Sequence, residues 1–120
     1  MAETPSIRVE KNAAATVVHV LVTDLDENHI VLLCRELADV VKDEPSLPCI
    51  LDMSAVKFIP SLTLGALVRL VNEFRSRRQR LIFVNLQATV RKVIAITRMD
   101  RVMEILDDIP TALQSVGQIG

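Results

Sequence analysis

The chain has 120 residues, half of them hydrophobic, with 14 basic and 15 acidic side chains and a formal net charge of −1. That length suits one domain whose core needs no disulfide scaffold, and the near-neutral balance offers no general attraction to nucleic acid or to an anionic membrane. Aromatic residues make up 2%, with no Trp or Tyr, so a base-stacking platform for single strands is excluded.

Met1 to Thr4 carries an acid and leads into no long apolar stretch, and no window approaches the ~20 apolar residues of a spanning helix. The expectation is a cytoplasmic protein without membrane insertion. Ser6 to Glu10 alternates weakly and reads as an edge strand; Lys11 to Ala14 supplies a turn before a stronger strand, Thr16 to Val22, so a hairpin is expected. A first helix is predicted from Asp26 or Glu27 to about Val41, with Ile30, Leu33, Leu37 and Val40 on one face and acids in its first turn. Lys42 to Pro48, with two prolines, ends it.

Cys49 to Leu51 is an apolar run that stops at Asp52 and reads as a buried strand. Leu64, Leu67, Val68 and Val71 share one helical face, which predicts a second helix over about Ser61 to Ser76. Between strand and helix lies a loop ending in Pro60, which favours an extended residue before it and has no N–H to donate. Ser61 is then placed to accept from the free amides of the first turn as an N-cap, and a cap at Ser61 or Thr63 is the plain reading of these hydroxyls. The helix closes in Arg75, Arg77, Arg78 and Arg80, cations that suit a helix C-terminus and read as a solvated cap. A strand from Leu81 to Val84, a helix over about Thr89 to Met99, a strand from Val102 to Leu106 and a short helix from Thr111 to Val116 complete the chain. Strands alternating with helices over short connections predict an α/β layer with a largely parallel sheet and one domain spanning 1–120.

Chemistry-bearing residues are sparse. Three glycines exclude a Gly-rich phosphate loop, and Cys34 and Cys49 have no Cys or His partner at metal spacing, so they read as buried thiols. His19 reads as a strand side chain and His29 as a surface one. Asp24 with Asp26, and Asp107 with Asp108, read as solvated turn acids, and Phe58, Phe74 and Phe83 are assigned to packing. A small enzyme built on Asp24, Asp26 and Ser61 would lack a base beside its nucleophile, so no catalytic residue, metal or cofactor is expected.

Leu51-Asp52-Met53-Ser54, followed after a short gap by Phe58-Ile59-Pro60-Ser61-Leu62-Thr63-Leu64-Gly65, resembles the STAS domain family of sulfate-transporter and anti-sigma-factor-antagonist domains. The usual family segment runs Leu-Asp-Leu-Ser, a loop, then Asp-Ser-Ser-Gly-Leu-Gly. Downstream, Arg80 to Leu86 and Val90 to Ile94 followed by Thr97-Arg98-Met99-Asp100-Arg101 are similar to the family's next strand, helix and turn. Upstream, Val17 to Val22 and Asp24-Leu25-Asp26 are similar to its early strand and corner, with Thr23 in place of a glycine.

The resemblance covers most of the chain and is greatest to the antagonist type. It implies a mixed sheet of about four to five strands with about four helices packed chiefly on one side. It implies a protein that binds an anti-sigma factor of the serine-kinase type, in a partner switch controlled by phosphorylation at Ser61. A phosphate would bring ~1.5 to 2 negative charges to a helix N-terminus, where amides and the dipole stabilise it. The implied partner surface comprises Asp24, Asp26, Pro60, Ser61, Leu62, Thr63 and Leu64. Pro60 stands where the family usually has Asp, Leu62 where it has Ser or Thr, and Thr63 where it has Gly. Those departures motivate the alternative, a non-phosphorylated STAS scaffold subunit of a signalling or transporter complex.

Overall fold

The computed structural model describes residues 6–117. The Met1 to Thr4 segment, read above for its acid and its lack of a long apolar stretch, lies outside them. Strand β1 (Ile7–Lys11) pairs antiparallel with β2 (Thr16–Val20), and β2, β3 (Cys49–Asp52), β4 (Leu81–Val84) and β5 (Glu104–Ile105) follow in that order, all parallel. Helices α1 (Glu27–Asp43), α2 (Ser61–Ser76) and α3 (Ala88–Ile96) connect successive parallel strands, and α4 (Ile109–Gly117) follows β5.

Each right-handed crossover steps one strand along the sheet in the same direction, which puts α1, α2 and α3 on one face. There Val18, Leu51 and Phe83 meet Leu33 and Leu37 of α1, Leu67 and Phe74 of α2, and Val90 and Ile94 of α3 in one buried cluster. The opposite face buries Val17, Ile50, Ile82 and Val84 beneath Ala112 of α4. β3 and β4 are thus buried on both faces, as their unbroken apolar runs require. Each fully buried Leu, Ile or Phe there contributes about 1.5–3 kcal/mol of transfer free energy. No helix among the described residues is long and apolar enough to cross a membrane.

Several boundaries differ from the expectations, each for a tertiary reason. β2 ends at Val20 rather than Val22, because the backbone beyond it turns and the Thr23 carbonyl accepts from Lys57 and Phe58. The last strand keeps two residues, because Met99–Arg101 forms a 3-10 turn that buries Met99. On α1 the fourth buried position is Val41, with Val40 only partly covered.

The basic cluster does more than cap a helix in solvent. Arg80 donates from Nε to Glu104 at 2.8 Å and from its guanidinium to the Ser115 hydroxyl at 2.7 Å, while Arg75 donates to the Val102 carbonyl at 3.2 Å. These contacts tie the end of α2 and the start of β4 to β5 and α4. α2 itself closes in a Schellman turn: the Gln79 amide donates to the Phe74 carbonyl and the Arg78 amide to that of Arg75. Arg78 takes the left-handed position, at φ 57°, that glycine fills at lowest cost. Arg78→Gly is therefore expected to raise unfolding stability by about 0.5–1 kcal/mol in urea denaturation, without altering the fold.

Candidate functional site

The site is the loop from β3 to α2, at the edge of the sheet where the parallel strands end and α1, α2 and α3 begin. It starts at Asp52, a buried carboxylate closing a strand whose other three residues are apolar. Parallel pairing sets Asp52 beside His19 of β2, whose Nδ1 lies 2.6 Å from Oδ2. Asn85, left-handed at φ 59° just past β4, donates from Nδ2 to Oδ1 at 2.9 Å, and the Ser54 amide donates to the same oxygen at 3.0 Å. Burial pushes the Asp52 carboxyl up, but the hydrogen bonds from Asn85, His19 and Ser54 outweigh it and hold the group below its ordinary value. His19 reaches on through Nε2 to Glu10 Oε1 at 3.0 Å, and Glu10 accepts from Arg8. A polar chain therefore runs from the outer strand to the root of the loop.

Beyond Asp52 the loop is pinned on both sides. The Lys57 and Phe58 amides donate to Thr23 and the Leu25 amide donates to Phe58, so the loop pairs with the turn before α1 in an isolated parallel bridge between Asp24 and Phe58. On the other side, Gln87 Nε2 donates to the Ser54 carbonyl and Thr89 Oγ1 to that of Lys57. Val56 and Ile59 point into the core between these anchors. Phe58, assigned above to packing, is instead 54% exposed, because its backbone is the seam and its ring is left outside.

Pro60, not Ser61, occupies the N-cap position of α2, at φ −62° and ψ 147°. The expected N-cap hydrogen bond from Ser61 is absent, since Ser61 is already the first helical residue. Its side chain is exposed, and Leu62 beside it is 81% exposed. Thr63 is buried at 1% exposure and donates from Oγ1 to the Pro60 carbonyl at 2.8 Å, the same oxygen that accepts its amide. Leu64 packs in the core. Thr63 and Leu64, expected on the partner surface, thus lie beneath it. Among the acids, Asp24 is exposed beside the seam, whereas Asp26 caps α1 by accepting from the His29 amide at 3.0 Å. The bridge sets Asp24 beside Phe58, Pro60 leads from there into α2, and Asp24, Phe58, Ser61 and Leu62 are exposed.

Of the two thiols expected to be buried, only Cys49 is, and burial pushes it up to about 12; Cys34 is half-buried on α1. Among the described residues no group of three or more His, Cys, Asp or Glu side chains is placed to hold a metal ion.

The family model described as the STAS domain matches residues 6–112. The chain belongs to the STAS domain family. Among solved structures, an anti-sigma factor antagonist from Mycobacterium paratuberculosis superposes with a TM-score of 0.77 at 24% identity, covering 93% of each chain. The Bacillus cell fate determinant SpoIIAA, in its phosphorylated form, gives 0.64 at 18% identity over 92% of this chain and 98% of its own. The murine anion transporter Slc26a9 gives 0.79 at 19% identity, over 92% of this chain but 19% of that protein. In this STAS domain the Leu51-Asp52-Met53-Ser54 segment therefore sits at a central strand end, and its aspartate organises the loop.

Because the Asp52 carboxyl lies below its ordinary value of 3.8 in the folded chain, its contribution is complete above that value and is lost as pH falls through the depressed one. Asp52→Ala is expected to cost about 1–3 kcal/mol at neutral pH, through the donors it strands. In urea titrations at a series of pH values, the gap between wild type and variant should narrow as the pH drops below 3.8.

Proposed function

We propose that this STAS protein is a cytoplasmic partner-binding regulator of the anti-sigma factor antagonist kind, acting by binding rather than by catalysis. In this reading its partner is an anti-sigma factor of the serine-kinase type, and Ser61 is the phosphorylated switch. The observation that carries the reading is the exposed Ser61 hydroxyl at a helix start with no side-chain cap and no acid in its first turn, flanked by exposed Phe58 and Leu62. The family match and the likeness to antagonist structures support it.

The physical logic is a balance between an apolar contact and a local charge. Unmodified, the surface offers a Phe held outward on a pinned loop and a Leu on the first turn of α2, so little ordering entropy opposes docking. A phosphate on Ser61 adds ~1.5 to 2 negative charges next to those side chains. The free amides and positive dipole end of α2 stabilise that phosphate in the free protein, while a partner closing over it must desolvate it. Modification thereby favours release. The fixed φ of Pro60 also suits a second reading, a constitutive scaffold whose loop no kinase modifies.

Incubation with ATP and the candidate anti-sigma kinases of the same genome, followed by intact mass and phosphosite mapping, separates the two. A phosphate on Ser61 is expected; stable complex formation without modification would favour the scaffold. In pull-downs with the responding kinase, Phe58→Ala and Ser61→Asp should each weaken binding by about tenfold or more. Equal binding by wild type and Ser61→Asp would remove the switch role of Ser61.

A further inference from the structure

At the opposite edge of the sheet, a cleft of about 290 Å³ lies between the C-terminal end of α2 and the first residues of β4 and β5. We propose that this cleft binds a small organic anion with an apolar body and an O–H or N–H donor.

Charge is the first observation. Three arginines line the cleft, and only Arg80 is neutralised, by Glu104. Arg75 spends one N–H on the Val102 carbonyl, and among the described residues neither Arg75 nor Arg78 pairs with a carboxylate. Guanidinium groups so placed suit a carboxylate or phosphate, which they bind through paired N–H donors.

Gln79 is the second and independent observation. It forms part of the cleft wall and is 6% exposed. Its Nε2 donates to the carbonyls of Leu47 at 2.8 Å and Glu44 at 3.4 Å, which fixes the amide orientation, since a flipped amide would face two acceptors with an acceptor. Oε1 is then left buried without a partner. A buried acceptor in that state carries an uncompensated desolvation cost, which a donor on a ligand seated in the cleft would offset.

The remaining features set the size and body of the ligand. Val71, Phe74 and Leu81 supply apolar lining, and the volume lies at the lower end of small-molecule sites, which suits a compact aromatic acid. Arg78 keeps a guanidinium at this rim although its left-handed backbone favours glycine, so stability is given up where the cationic side chain lines the cleft. The cleft is about 20 Å from Ser61 along α2, at 1.5 Å per residue, and needs no part of the partner switch.

The test is a set of amide NMR titrations of the full chain with 4-hydroxybenzoate, benzoate, phenol and inorganic phosphate. 4-Hydroxybenzoate should shift the Gln79 side-chain amide and the Leu81 and Val102 backbone amides. It should bind about tenfold more tightly than phenol, which lacks the charge, and more tightly than benzoate, which lacks the donor. The Arg75→Ala/Arg78→Gly variant should weaken it by about tenfold, and Ser61→Ala should not; the single Arg78→Gly variant, which relieves backbone strain, guards against misfolding. Absence of localised shifts at millimolar ligand, or an equal response to phenol, would overturn the proposal. So would an equal response to inorganic phosphate, meaning an adventitious ion only.

Discussion

The structure depends on one buried carboxylate at the end of its central strand. β3 is covered on both faces, so its backbone has no freedom to slip, and Asp52 arrives at the sheet edge in a place where little water reaches it. An acid so placed must be met by the protein. It is met from three directions, by His19 of β2, Asn85 after β4 and the Ser54 amide of its own loop. Meeting that requirement fixes the relation of the loop to the strands on either side, and the exposed face beyond it inherits its geometry.

The loop beyond it is ordered by neighbours rather than by its own periodicity. Thr23 and Leu25 hold it from the α1 side, Gln87 and Thr89 hold it from the α3 side, and Val56 and Ile59 anchor it below. With every backbone constraint directed sideways or inward, the side chains of Phe58, Ser61 and Leu62 have only the outward direction left. A surface of this kind is preorganised: the entropy of ordering it is met in folding and not again on binding.

The three departures from the usual family segment are coherent as local physics. Pro60 supplies the extended N-cap backbone at φ −62° and a carbonyl that Thr63 holds through both its amide and its hydroxyl. Thr63 therefore stabilises the helix start from inside, and the capping work is done without Ser61. Leu62, at the next position out, adds apolar area to the exposed face. α2 then carries two chemically opposite ends, a neutral hydroxyl and apolar face at its start and a cluster of guanidinium groups at its close.

Much of the fold was legible because it is written in local repeats. Apolar runs of three residues at Cys49 and four at Leu81, the 3.6-residue face of Leu64, Leu67 and Val71, and prolines between them determine the order and type of the elements, since side-chain spacing along one segment decides which backbone can bury it. The family segment around Asp52 and Ser61 was legible in the same way. What only the tertiary structure decided is orientation where no period exists. Phe58 looks like core by composition, and Thr63 looks like surface, yet the pinned backbone turns the ring out and the hydroxyl in. His19 and Asp52 lie 33 residues apart and meet only through parallel register. Likewise, the arginines after Ser76 read as solvated charge until β5 and α4 come to rest beside them. In each case the deciding partner comes from a distant part of the chain, and local spacing carries no information about it.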